Sequence, residues 1–140
     1  MLYLLLPLFL TINMKTLILL FLLFVYPPNK SKLTCADFRT GTFDLPSVDG
    51  STHRIIREKN KQTEYVGKTG LETEFDIKWL SKCTYIIYNK RIIKGQDDLP
   101  ELDRDTLICE IKKISGSTCT VTTSFKRFNL KLDAEMKKIE

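Results

Sequence analysis

Residues 71–79 read LETEFDIKW, and this stretch decides the fold. Thr73, Phe75, Ile77 and Trp79 alternate with Glu72, Glu74, Asp76 and Lys78. Period two is the pattern of a β-strand with one face in a core and the other in water. The alternation recurs outward along the chain. In TLICEIKK, Leu107, Cys109 and Ile111 share a face, and in STCTVTT Cys119 and Val121 do.

The remaining punctuation is that of a β-meander. TGTFDLPS, HRIIREKN and KQTEYVG read as strands, broken near Pro46–Gly50 and at Glu58–Lys61. Gly67–Gly70 turns into residues 71–79, and Leu80–Lys82 turns into TYIIYNKRII. Gly95–Arg104, with paired aspartates and Pro100, is the one long loop. The last segment, RFNLKLDAEMKKIE, alternates at Phe128, Leu130 and Leu132 and then shifts to the helix formers AEMKK, which leaves a short C-terminal helix open. About eight short strands in nearly unbroken hairpin order predict an all-β domain, an antiparallel up-and-down barrel of calycin or lipocalin-like type.

The domain occupies residues 35–140, because residues 1–34 are an apolar leader and polar spacer. From Met1 the apolar block is long enough to span a bilayer. From Met14 it becomes a short basic start followed by TLILLFLLFVY, which suits a secretory signal and is too short to span. Met14 is the working start. Lys30 and Lys32 behind a spanning segment would hold the domain in the cytoplasm. The exit VYPPNKSK is a poor cleavage site, so retention as an N-terminal membrane anchor stays open beside export to the periplasm, envelope or exterior. Asn29-Lys30-Ser31 matches a glycosylation acceptor and reads as a chance triplet in a spacer.

Charge excludes one class of partner. Of 22 basic residues, Lys15, Lys30 and Lys32 precede the domain, which then carries 19 basic residues against 17 acidic. That near balance, with lysines interleaved among acids, is no footprint for nucleic acid.

The four cysteines, Cys35, Cys83, Cys109 and Cys119, are an even count in a small domain behind an export signal. An eight-residue spacer, Pro27–Thr34, separates Cys35 from the apolar run and places Lys32-Leu33-Thr34 directly before it, which argues against lipid attachment. Zinc is not expected: no two cysteines form a CxxC pair, and His53 is the single histidine. Four cysteines allow three connectivities. A three-residue loop at Ile114-Ser115-Gly116 would set Cys109 opposite Val121 and Cys119 opposite Ile111. The two sulfurs would then be diagonal neighbours, bonded if the register shifts and otherwise buried thiols.

Cys35 before FRTGTF, then RIIREKNKQTEY, DIKWLSKCTYIIY, a charged loop and LICEIKKISG, resembles small exported single-domain proteins of flavobacterial type. The specific parts are Cys35, Phe38, Gly41 and Phe43, the Arg57–Glu64 segment, and Trp79 with Cys83 and Tyr85. The resemblance implies a Cys35–Cys83 bond that ties the first strand to the middle of the sheet. It carries no catalytic residues over, and Cys109 and Cys119 are additions to its pattern.

Motifs for chemistry are sparse. VGKTG holds the Gly-Lys-Thr of a phosphate loop, but Gln62 stands where that loop needs glycine, so Gly67–Gly70 reads as a hairpin turn. Glu72, Glu74 and Asp76 are a row of carboxylates that reads as a solvated strand face. His53 reads as a surface histidine, and Arg54 and Arg57 as the polar ends of a strand. Trp79, Tyr85, Ile87 and Tyr88 are core aromatics and aliphatics, of which Trp79, Tyr85 and Ile87 are the candidates for lining a ligand cavity. No cofactor loop is present. Two function classes remain: a non-catalytic binding or structural module of the cell envelope with a small apolar ligand in the barrel mouth, or a small hydrolase-like enzyme whose site gathers His53, Glu64 and Glu72.

Overall fold

A computed structural model describes residues 32–98 and 105–140. The leader, the acceptor triplet at Asn29 and residues 99–104 of the long loop lie outside the described residues. The described chain forms eight antiparallel strands: β1 (Gly41–Pro46), β2 (Thr52–Arg57), β3 (Lys61–Val66), β4 (Leu71–Trp79), β5 (Thr84–Lys94), β6 (Leu107–Ser115), β7 (Thr118–Phe125) and β8 (Leu130–Lys138). Each pairs with the next, and β8 returns to β1, so the meander closes into an up-and-down barrel. Closure satisfies the backbone groups that an open sheet would leave on two edges.

The alternation read in residues 71–79 is the one observed. Thr73, Phe75 and Ile77 are buried, and Glu72, Glu74 and Asp76 line the outer face. There Glu74 meets Lys61 and Arg91 at 2.7 and 2.9 Å, and Asp76 meets Arg91 at 2.7 Å. These cations hold both carboxyls below their usual range through hydrogen bonds and charge.

Register slips redirect the sequence pattern in two strand pairs, β4–β5 and β6–β7. In β5, Asn89 adopts a left-handed φ of 53° and donates to Asp76 Oδ2 at 2.8 Å. The register with β4 slips there, pairing Glu74 with Arg91 but Asp76 with Tyr88. The extra residue reverses the parity of the strand as far as a further slip beyond Ile92, so Lys90 turns to the interior and Arg91 to the outer face. In the β6–β7 hairpin the register slips between Ile111 and Lys113.

The position of the turn corrects the expected pairing of the hairpin. The turn is Gly116-Ser117, Cys109 faces Thr123, and Cys119 faces Ile114. Cys109 therefore lies four residues from the level of Cys119, about 13 Å along the strands. Both are buried free thiols, so no bond joins them. Cys35 and Cys83 are bonded, with Cα atoms 5.2 Å apart. The bond closes a loop of 48 residues, worth about 4 kcal/mol on the chain-entropy model.

The expected C-terminal helix is also corrected, because β8 continues to Lys138. Pairing of Thr118–Phe125 along its length, with Met136 buried among core residues, overrides the helix propensity of AEMKK. At the closure Ile139 donates to the Thr42 carbonyl at 2.8 Å, and Thr42 donates to Glu140 at 3.0 Å. Gly41 sits at φ 126°, and a Cβ there would collide with the Glu140 carbonyl.

The two barrel ends differ. One is closed by the 3₁₀ turn Cys35–Phe38, whose Phe38 is fully buried and stacks on Phe43 at 5.9 Å. The other end carries the turns 47–51 and 67–70, the loop after Lys94 and the 3₁₀ turn Lys126–Phe128.

Candidate functional site

A cavity of about 510 Å³ fills the barrel toward its open end. That volume suits a small organic molecule, and eight strands are enough to enclose one. Its lining obeys period two. The inward positions of β6, β7 and β8 supply Leu107, Cys109, Val121, Thr123, Phe125, Leu132, Ala134 and Met136, a mostly apolar wall. The opposite wall is mixed: β2, β3 and β4 supply His53, Gln62, Glu64 and Thr73 beside Ile55, Val66, Leu71 and Phe75. Around the mouth stand Thr69, Lys90, Gln96, Asp97 and Asp98, with Lys90 paired to Asp97 at 2.7 Å.

Beneath the mixed wall lies a buried charge. Arg57 is 2% exposed, which corrects its reading as the polar end of a strand. Nε donates to Gln62 Oε1 at 2.9 Å, one terminal nitrogen to the Phe38 carbonyl at 2.7 Å, and the other to the Tyr85 hydroxyl at 2.9 Å. Its guanidinium also lies over the rings of Tyr85 and Phe43, at 4.5 and 5.1 Å. A charge this deep is tolerable only when its donors are satisfied, and ring faces add to their stabilisation. Gln62 passes the interaction on, donating from Nε2 to Glu64 Oε1 at 2.6 Å. Arg57, Gln62 and Glu64 thus form a relay from the closed end into the cavity wall.

Sequence-predicted positions divide between the two ends. Tyr85 and Ile87 line the cavity. Trp79 does not: it lies at the closed end, its ring 4.7 Å from Tyr85 and beneath the Arg39 guanidinium at 4.8 Å. His53 lines the cavity rather than the outer surface, because His53, Ile55 and Arg57 share the inward parity of β2. His53 and Glu64 are therefore brought to one cavity, while Glu72 lies outside it. Arg57 and Gln62 are site residues that motif reading misses, although their period-two relation to Ile55 and Glu64 is a usable signal.

The thiols offer little nucleophilic capacity. Burial pushes Cys109 up, and pushes Cys119 up to about 11, so both are held protonated at neutral pH. Burial likewise raises the Tyr85 hydroxyl, against the opposing pull of Arg57. Among the described residues no group of three or more His, Cys, Asp or Glu side chains is placed to hold a metal ion. No helix among them is long and apolar enough to cross a membrane.

No protein-family model matches the chain, and no curated protein matches it. The fold is therefore that of a small disulfide-bonded β-barrel with an internal cavity, and its class rests on geometry alone.

Proposed function

We propose that the domain is an exported, non-catalytic binding module of the cell envelope that holds a small apolar ligand in its barrel. The observation that carries this reading is the 510 Å³ cavity with one nearly continuous apolar wall. Apolar cavities of this size bind by removing ligand surface from water, at about 25 cal/mol per Å² buried. The polar groups of the opposite wall, His53, Gln62, Glu64 and Thr73, supply an orienting edge.

Three features support export. The Cys35–Cys83 bond belongs in an oxidising compartment, the leader has the form of a secretory signal when read from Met14, and the chain resembles small exported proteins of flavobacterial type. Native mass spectrometry on the protein purified from the cells that make it tests the function. The expected result is a bound hydrophobic molecule at one copy per barrel; a mass equal to the bare chain under conditions that preserve apolar complexes contradicts it.

A further inference from the structure

The floor of the cavity has a fixed hydrogen-bonding polarity. The register of β2 with β3 sets the levels of the mixed wall: His53 pairs with Val66, Ile55 with Glu64, and Arg57 with Gln62. Because β2 leaves the 47–51 turn of the open end, His53 stands on the mouth side and Gln62 at the floor. Gln62 lines the cavity although it is only 2% exposed.

The neighbours of this amide decide which way round it lies. A guanidinium can only donate, so the atom 2.9 Å from Arg57 Nε is the Gln62 oxygen. The nitrogen then faces Glu64, another residue of the cavity wall, and donates to its Oε1 at 2.6 Å. Nε2 carries a second hydrogen, which has no partner among the described residues. Donation from a buried guanidinium into Oε1 also polarises the amide and strengthens its N–H groups, by about 10–30% per bond. The floor therefore offers a hydrogen and asks for an acceptor.

Charge and desolvation narrow what that acceptor is. Arg57 gives its nitrogens to the Gln62 oxygen, the Phe38 carbonyl and the Tyr85 hydroxyl, so the guanidinium lies behind the floor and is spent on neutral partners. Lys90, the other long cation of the lining, is paired with Asp97 at the mouth. A carboxylate led to the floor would be a buried charge with no cation in contact, which is far more costly than a neutral oxygen. A wholly apolar ligand would seal the second N–H in without a partner, and an ammonium head would set donor against donor.

We propose that the ligand carries an uncharged carbonyl-type oxygen and enters with that oxygen leading. Gln62 Nε2 holds the oxygen at the floor, and the apolar body lies against the β6–β8 wall with its far end toward the mouth. This orientation rests on the ligand binding proposed above.

Three naphthalenes of similar size test it by equilibrium dialysis at neutral pH: 2-acetylnaphthalene, 2-isopropylnaphthalene and 2-naphthoate. The full chain is compared with Gln62→Met, which keeps the bulk and removes the donor, and circular dichroism verifies that the variant keeps its strands. The substitution is expected to weaken the ketone about tenfold and the isopropyl compound by no more than about twofold. Infrared spectra of the carbon-13-labelled ketone give a second reading that does not depend on the variant. Bound to the wild type, its carbonyl stretch is expected below the position it takes in hexane. A bound carbonyl at the hexane position overturns the inference. Equal loss of the ketone and the isopropyl compound in Gln62→Met overturns it too, as does tighter wild-type binding of 2-naphthoate than of the ketone. In each of these cases saturable binding of 2-isopropylnaphthalene leaves the apolar cavity reading standing. Failure of all three compounds to bind the wild type overturns both.

Discussion

The two ends of the barrel are built from the same eight strands and do opposite things with their interior. At the closed end large inward side chains fill the interior: Phe38 stacks on Phe43, and Arg57 is spent on Gln62, Phe38 and Tyr85. At the open end the same inward parity presents Val121, Thr123, Leu132 and Ala134 to a cavity. The strand pattern sets which face is inside, and side-chain volume and hydrogen bonding decide whether that inside is solid. Stability is thereby concentrated at one end, which leaves the other able to hold a guest.

The largest test of this division is at the Cys35–Cys83 bond, which pins the 3₁₀ turn to the β4–β5 connection. Replacing both cysteines with alanine is expected to cost about 4 kcal/mol in urea unfolding. Next comes Arg57→Met, which keeps bulk but leaves Gln62 Oε1, the Phe38 carbonyl and the Tyr85 hydroxyl without their donor. A loss of about 3 kcal/mol is expected by the same measurement. If Arg57→Met is neutral, the polar plug contributes nothing and the asymmetry between ends is one of packing alone.

A smaller effect comes from the buried thiols. The folded chain keeps protons on Cys119 and Cys109 that the unfolded chain releases from roughly pH 8.5 upward. Their contribution is complete below that pH and declines as pH rises toward the folded value of about 11 at Cys119. Unfolding midpoints at pH 7 and pH 10 should differ less in Cys119→Ala than in the wild type. At the open end, Leu132→Ser is expected to change stability by no more than about 0.5 kcal/mol, because that side chain faces the mouth.

Much of this architecture is legible in the sequence, and the reason is local. The alternation in residues 71–79 recurs in the other strands, and mostly short turns separate them, four of the seven with glycine, so the order of strands is set by neighbours. The features that escape a sequence reading depend on events one residue long. Asn89 and the slip after Ile111 each reverse parity or register without a mark in composition, and the expected Cys109–Cys119 pairing differs from the observed one because the turn falls at Gly116-Ser117 rather than at Ile114–Gly116. Arg57 reads as a strand end when its charge is given more weight than its position two residues beyond Ile55. The AEMKK helix does not form because long pairing with β7 outweighs local propensity. Trp79 and Tyr85, grouped as cavity candidates, are in ring contact, yet only Tyr85 reaches the cavity, and no pattern in the sequence gives that depth.

The cavity itself is the central claim, and fluorescence titration of N-phenyl-1-naphthylamine tests it most directly. Wild-type protein is expected to bind the probe saturably at one site, and Ala134→Phe, which fills the apolar wall while circular dichroism shows the barrel intact, is expected to lose that binding. Absence of saturable binding to the wild type, or equal binding to the folded variant, would contradict the account.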